Sequence, residues 1–258
     1  MALVRVLKSA GPHLEAMLAT WVGFSSPHVR QAIDEADWLA DPRDAYCGRC
    51  GVTTAPGEAT TTGCGTCRGG PGIGQGIVRL GSYGGVLREW VLGVKYQGWA
   101  EMGDMLGQRL GRSIDASGVI EQRGRTLVVP LPMPWQRRLY RGIDHARVVA
   151  AGVAVELDAP LISLLSKRNG PPQVSLPTSQ RRRGGARGLR LRSIGGVVPG
   201  AAWVRGATVV LVDDVCTTGA TMRAAIRLVK TLKPARIIAA VLAVADDPAR
   251  RRRRDERA

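Results

Sequence analysis

The sequence predicts an α/β fold, in which a parallel sheet with crossover helices follows a small metal-binding module. Two observations predict it. Along residues 77–247, short apolar runs alternate with segments of helical apolar spacing, which is typical of a parallel sheet. Residues 45–70 instead hold four cysteines, many Gly and Thr, and almost no large apolar residues. Such a segment cannot build a hydrophobic core of its own and needs another source of stability.

The elements of the sheet region are predicted from their apolar periodicity. Ligands of open parallel sheets bind outside the carboxyl ends of the strands, so the loops that follow the strands are where a site is expected. In chain order the expected elements are a strand or turn and then a helix over 77–112, a strand over Leu127–Leu131, a helix over 143–157, a polar basic loop region over 166–192, a strand over Val209–Val212, a helix over Ala220–Leu232 and a strand over Ile237–Val244.

The two ends of the chain differ from its centre. Residues 1–44 show some helical periodicity and are expected to form a helical or partly disordered extension. Residues 248–258 include five consecutive arginines, and we expect a basic disordered tail. The predicted organisation is therefore an extension over 1–44, a metal module over 45–70, an α/β domain over 77–247 and a tail over 248–258.

Composition restricts the partners and the compartment. The chain has 258 residues and a net charge of +16, with 32 Arg against 5 Lys. This balance favours a polyanionic partner, either a nucleic acid or a phosphorylated small molecule, although compositional drift towards Ala, Gly and Arg explains the excess equally well. Its longest late apolar stretch, Ile237–Ala245, is far shorter than the roughly 20 residues of a membrane-spanning helix. We therefore expect no membrane span and a cytoplasmic protein.

The four clustered cysteines form two C-x-x-C pairs separated by thirteen residues. Each pair offers two thiolates to one tetrahedral ion, and two pairs complete its coordination, so the pattern predicts a structural zinc-ribbon-like site with no open position. Two disulfides or two redox pairs are the alternatives, which a reducing compartment disfavours. The predicted zinc ligands are Cys47, Cys50, Cys64 and Cys67.

The strongest candidate for a ligand site follows the apolar run Val209–Val212. Two carboxylates, Asp213 and Asp214, come next, and a Thr-rich turn then opens a helix. Backbone N–H groups, hydroxyls and the positive helix end make a cradle for a monophosphate, while two carboxylates accept from the 2′- and 3′-hydroxyls of a ribose. The pattern predicts a 5′-phosphoribosyl ligand, although a capped turn without any ligand is the alternative. The predicted cradle residues are Thr217, Thr218, Gly219, Ala220 and Thr221.

This thirteen-residue string resembles the phosphoribosyl-pyrophosphate (PRPP) motif of type I phosphoribosyltransferases, and further blocks resemble the ComF family over about residues 45–245. The resemblance implies a phosphoribosyltransferase-like fold, PRPP with Mg²⁺ as ligands, Asp213 and Asp214 as catalytic groups, and a nitrogenous base as acceptor. It also implies that Arg137, Arg138 and Arg141 contact pyrophosphate, because guanidinium groups bind such oxygens bidentately. The blocks are the paired C-x-x-C, Tyr83–Arg88 running to Lys95–Gly98, Val129–Pro132 with Arg137, Arg138, Arg141 and Gly142 after it, and Gln173 followed by arginines.

The resemblance leaves a second hypothesis open, since the ComF family is associated with competence. Here the protein is non-catalytic and acts in the uptake of single-stranded DNA, either binding the strand or a DNA-translocating ATPase partner. The supporting feature is the stretch Arg181–Arg192, which has six arginines and no acid. The predicted DNA contacts are Arg181, Arg182, Arg183 and Arg187. Three further residues stay open: Lys95 as a solvated side chain or a phosphate contact, and His145 and Cys216, for which structural roles are expected.

Overall fold

The computed structural model describes residues 33, 36–55, 58, 63–67, 70, 72–121, 125–133, 143–167 and 188–245. Within them a parallel sheet forms the centre of the protein. Its strands are β1 (Ile77–Ser82), β2 (Thr126–Pro130), β5 (Thr208–Cys216) and β6 (Arg236–Val244), in the spatial order β1-β6-β5-β2. Two short strands, β3 (Leu165–Lys167) and β4 (Leu189–Leu191), make a separate antiparallel pair.

Helices lie between these strands along the chain. Those with described bounds are α1 (Gly85–Tyr96), α2 (Ala100–Ala116), α3 (His145–Glu156), α4 (Ala201–Val204) and α5 (Ala220–Lys230), with a short 3₁₀ turn at Arg43–Ala45. Among the described residues no helix has both the length and the apolar character needed to cross a bilayer.

The sheet is buried on both faces, because alternate side chains of its strands pack into two separate cores. In β5, Val210 and Val212 pack into the core under α1, α2 and α3, while Val209 and Leu211 pack into the core under α5. Near-continuous burial of this kind explains why these strands are apolar runs and not alternating patterns.

A glycine-lined crossing holds α2 against α3. A Cβ at Gly152 of α3 would collide with the backbone carbonyl of Asp104, and one at Gly107 of α2 would collide with the carbonyl of Val149. The two helix backbones therefore approach closely, and only glycine fits at these positions.

The structure extends or divides several predicted elements. The strand predicted at Val209–Val212 runs on to Cys216, because Asp213, Val215 and Cys216 keep their register with Val241, Ala243 and Val244 of β6. Residues 77–112 contain one strand and two helices, since Gly98 adopts a φ of 72° between α1 and α2. The ends of the loop predicted over 166–192 pair as β3 and β4, which are too short to show a period of two.

The predicted extension reaches the α/β core with its described part. Ile33 is buried in the core under α1–α3, and the ring of Trp38 meets that of Trp90 edge to face at 5.5 Å. The backbone N–H of Asp41 donates to the carbonyl of Leu80 in β1. The expectations for residues 1–32 and for the tail over 248–258 lie outside the described residues.

Candidate functional site

A cavity opens at the carboxyl end of β5, where the strand meets α5. It is lined by Asp213 and by residues 215–222, which comprise the end of the strand, the loop and the first turn of the helix. The turn at Gly219 requires glycine, because its φ is 71° and a Cβ would lie 2.8 Å from Nη1 of Arg223 and 2.9 Å from Cδ1 of Ile73. The positive end of α5 faces this cavity, which is the environment that phosphate groups prefer.

Contacts from α5 and within the loop hold its shape. Nη2 of Arg223 donates to the carbonyl of Thr218 at 2.7 Å, and the backbone N–H of Ala220 reaches Oγ1 of Thr218 at 3.4 Å. The side chain of Thr217 is exposed, whereas Gly219 is buried. Hydroxyl and backbone groups are therefore presented in one short turn, as the sequence predicts.

The two acids preceding the loop belong to β5 and lie next to each other. The backbone N–H of Asp214 donates to Oδ1 of Asp213 at 2.9 Å, and that of Val215 donates to Oδ1 of Asp214 at 2.6 Å. Oδ2 of Asp214 lies 3.2 Å from Nζ of Lys95, at the end of α1. Each carboxylate is thus anchored by the backbone through one oxygen.

Asp213 holds its proton far more tightly than an exposed aspartate. Burial raises its pKa to about 8, and the neighbouring charge of Asp214 adds to this effect. The backbone N–H of Asp214 and the charges of Lys95 and Lys167 act in the opposite direction. A strongly raised pKa beside the start of a helix is typical of a functional site.

The structure brings together seven of the predicted ligand residues, and the remaining ones lie outside the described residues. Asp213, Asp214 and residues 217–221 form one continuous strand, turn and helix start. Predicted pyrophosphate contacts Arg137, Arg138 and Arg141 lie outside the described residues, and so do the predicted DNA contacts Arg181, Arg182, Arg183 and Arg187.

Two features of the site go beyond what the sequence predicts. Lys95 pairs with Asp214 and is neither fully solvated nor free of partners. Lys167, at the end of β3, acts electrostatically on Asp213, although no motif marks it in the sequence. His145 and Cys216, for which structural roles are expected, are both buried.

The four clustered cysteines lie at the spacing of a tetrahedral metal site. The Sγ atoms of Cys47 and Cys67 are 3.7 Å apart, as are those of Cys50 and Cys64, and all four lie within 4.8 Å of one another. Zinc–sulfur bonds of about 2.3 Å in a tetrahedron require sulfur atoms about 3.8 Å apart, whereas a disulfide requires about 2 Å. The thiols therefore fit a closed, structural zinc site.

Hydrogen bonding within the cluster favours negative charge on the sulfur of Cys47. The pKa of Cys47 is lowered to about 4, first by the thiol of Cys50 and then by the backbone N–H groups of Arg49, Cys50 and Cys64. The pKa of Cys50 is raised, because its proton is held by Cys47, and burial raises that of Cys67. A divalent cation is the group that allows all four thiols to ionise together.

A buried arginine joins the cysteine cluster to the sheet. Arg79 of β1 is fully buried and donates from Nη1 to the carbonyl of Gly51 at 2.6 Å. Its Nη2 donates to Asp41 at 2.6 Å and to Thr53 at 2.9 Å. The guanidinium group also lies 4.9 Å from the ring centroid of Tyr46.

The cysteine cluster also contacts the candidate phosphate loop, residues 217–221, through Ile73. The carbonyl of Arg49, between the first two cysteines, accepts from the backbone N–H of Ile73 at 2.7 Å. The buried side chain of Ile73 packs against Gly219. Order in the cysteine cluster is thus linked to the position of the loop by one hydrogen bond and one packing contact.

Known proteins resemble this chain over part of its length. No curated protein matches the chain significantly. Among solved structures, the chain is similar to the allosteric regulatory enzyme of purine biosynthesis (17% identity, 54% of this chain and 26% of that chain, TM-score 0.35). It is also similar to TT1426 from Thermus thermophilus, with 24% identity over 60% of this chain and 79% of that chain and a TM-score of 0.32. A third similar structure is glutamine PRPP amidotransferase from B. subtilis, with 18% identity over 55% of this chain and 27% of that chain and a TM-score of 0.35. The chain spans about a quarter of the length of the first and third of these proteins. The sequence model described as phosphoribosyl transferase domain matches residues 140–258, and this part of the chain contains β5, the candidate phosphate loop and α5.

Proposed function

We propose that this protein binds PRPP with Mg²⁺ at the carboxyl end of β5 and transfers its phosphoribosyl unit to a nitrogenous acceptor, as a protein of the ComF type. One observation carries the proposal. A cavity that pairs an aspartate of raised pKa with a Thr-rich helix start lies within the residues that match the phosphoribosyl transferase domain. The carboxylate suits ribose hydroxyls, and the helix start suits the 5′-phosphate.

The residues of the site have distinct roles in this reaction. Residues 217–221 hold the 5′-phosphate through backbone N–H groups and hydroxyls, and thereby position C1 of the ribose. Asp213 and Asp214 accept hydrogen bonds from the 2′- and 3′-hydroxyls. Their negative charge stabilises the oxocarbenium character that develops at C1 as the bond to pyrophosphate breaks and the acceptor nitrogen forms its own bond. Arg137, Arg138 and Arg141 are proposed to bind the departing pyrophosphate.

Mg²⁺ would neutralise charge on the pyrophosphate as it departs. The described residues at the site fit this ion, because Asp213 and Asp214 offer carboxylate oxygens, the donors that Mg²⁺ prefers. We assign zinc, in contrast, to Cys47, Cys50, Cys64 and Cys67 as a structural ion.

The binding of PRPP tests the proposal directly. PRPP with Mg²⁺ should raise the melting temperature of the wild-type protein, since a ligand of the native state stabilises it by mass action. The double variant Asp213→Asn, Asp214→Asn should fold and lose this shift. An Asp37→Asn variant, which changes an exposed turn residue, is the matched control and should keep it. A wild-type shift that survives in the double variant would place the ribose elsewhere.

The competence-associated alternative predicts a different result. A non-catalytic DNA-binding protein would retain single-stranded DNA with an affinity that falls steeply with salt, and would not consume PRPP with any nucleobase. For single strands the slope of log K against log salt is roughly −0.7 per phosphate contacted. Neutralising Arg181, Arg182, Arg183 and Arg187 should then flatten the slope by about three. An unchanged slope would show that these arginines do not hold the strand.

A further inference from the structure

Lys95 lies over one of the two acids of the candidate site. It stands in the last turn of α1, and its Nζ is 3.2 Å from Oδ2 of Asp214. Both side chains are largely buried, at 16% and 14% exposure. The helix ends directly afterwards, and Gly98 adopts a φ of 72° in the link to α2. The cation is therefore held beside Asp214 by a helix that ends there.

The two acids face different surroundings because successive strand residues point to opposite faces of a sheet. Asp213 lines the cavity together with residues 215–222, whereas Oδ2 of Asp214 faces Lys95. A ribose that uses both carboxylates must therefore share Asp214 with Lys95 or displace it. In the free protein Lys95 engages the Oδ2 oxygen of Asp214 that the second ribose hydroxyl would need.

We propose that Lys95 exchanges partners when PRPP binds. Its ammonium group gives up the ion pair with Asp214 and forms one with the pyrophosphate group of PRPP. This inference rests on the proposed function. A lysine suits such an exchange, because its ammonium group has three donors on a flexible stem and binds phosphate as a point charge. The ribose hydroxyls satisfy Asp214 in its place, so no carboxylate is left buried without a partner. A pyrophosphate carries more charge than one carboxylate and is the stronger partner for the ammonium group.

The exchange gives Lys95 two opposite effects on binding. Its contact with pyrophosphate strengthens the binding of PRPP, while its contact with Asp214 competes with the ribose. Ribose 5-phosphate has the ribose and the 5′-phosphate but lacks pyrophosphate. Its binding is therefore affected only by the competition between Lys95 and the ribose for Asp214. Lys95 would therefore select PRPP against ribose 5-phosphate. A fixed structural ion pair would instead support both ligands equally.

Equilibrium binding of PRPP, ribose 5-phosphate and inorganic pyrophosphate, each with Mg²⁺, separates these cases. The variant Lys95→Met should weaken the binding of PRPP and of pyrophosphate by about ten- to a hundredfold, which corresponds to the loss of a hydrogen bond to a charged group. The same variant should leave ribose 5-phosphate unchanged or bound more tightly. Lys95→Arg, which keeps the charge, should retain most of the PRPP affinity. Lys230→Met is the matched control, since it removes a lysine from the last turn of α5.

Each outcome decides between the possibilities. Equal losses for PRPP and ribose 5-phosphate in Lys95→Met, at an unchanged melting temperature, would overturn the exchange and leave a purely structural ion pair. Unchanged PRPP affinity would exclude any contact with pyrophosphate. If Lys95→Met does not fold, Lys95→Gln, which removes the charge but keeps a polar side chain, takes its place, with the same expected loss for PRPP and none for ribose 5-phosphate. A wild-type protein that binds none of the three ligands would overturn the proposed function and this inference together.

Discussion

Protein purified without chelator is expected to carry one zinc ion per chain, and Cys64→Ser should remove it and unfold the cysteine cluster. The four Sγ atoms already lie within 4.8 Å of one another, and the surrounding segment has few apolar residues of its own. Structural zinc contributes on the order of 10 kcal/mol or more to such segments, so its loss is comparable to the whole stability of an ordinary domain. Elemental analysis and urea unfolding measure the two effects.

Cys216→Ser is the matched control for this experiment. It makes the same chemical change at the fifth cysteine, which lies in the core beside α5 and not in the cluster. The zinc content of this variant should stay at one ion per chain. Zinc-free wild-type protein that unfolds at the same urea concentration as the zinc-bound form would contradict a structural ion.

Loss of zinc should also weaken the binding of PRPP, because the cysteine cluster contacts the candidate phosphate loop through Ile73. The carbonyl of Arg49 holds the backbone of Ile73, whose side chain packs on Gly219. Once the segment around Arg49 unfolds, the backbone of Ile73 loses this hydrogen bond, and its side chain is then positioned by packing in the core under α5. The thermal shift with PRPP should therefore shrink in zinc-depleted protein and return when zinc is restored. A shift that is equal with and without zinc would show that the two sites are independent.

Local features of the sequence predict most of the sheet and of the phosphate loop. The strands β2, β5 and β6 are apolar runs bounded by Pro, Gly or acidic residues, and such runs need no partner to be recognised. Both C-x-x-C pairs and the Thr-rich turn are also contiguous, so their chemistry can be read along the chain. The structure places Asp213 and Asp214 within β5 and not after it, because β6 extends beside them.

Contacts between distant residues are not predictable in this way. Lys95 and Asp214 are separated by more than a hundred residues, and no periodicity connects a helix end to a strand end. The buried Arg79 likewise gains its partners, among them Asp41 and Gly51, only in the folded chain. The pairing of β3 with β4 is not predictable either, because three residues are too few to distinguish a strand from a loop.

Replacing Asp213 with asparagine is expected to stabilise the free protein at neutral and alkaline pH while abolishing PRPP binding. Burial and the charge of Asp214 raise the pKa of Asp213 to about 8, against about 3.9 in an unfolded chain. Between these values the folded state keeps a proton that the unfolded state has lost. The free energy of unfolding therefore falls as the pH rises from about 4 to about 8. Asparagine does not titrate, so this residue no longer lowers the free energy of unfolding of the variant as the pH rises.

Urea unfolding at pH 5 and pH 8 measures the effect. The stability gained by Asp213→Asn should be larger at pH 8 than at pH 5 by at least about 1.4 kcal/mol, the value of a tenfold difference in proton affinity. Asp37→Asn, which removes an exposed carboxylate, should show no such dependence on pH. An equal gain at both pH values would mean that the asparagine acts through packing and not through charge.

The proton held by Asp213 can also be detected in the wild-type protein, through the pH dependence of PRPP binding. A ribose hydroxyl donates to the carboxylate form of Asp213, so binding must release the proton that the free protein holds. PRPP affinity should therefore rise with pH up to about 8, by at most tenfold per pH unit. Calorimetry in buffers of different ionisation enthalpy counts the protons released, with Lys230→Met as a variant that leaves Asp213 intact. Binding that releases no proton from Asp213 would place the ribose hydroxyls on other residues, even if PRPP still binds in this cavity.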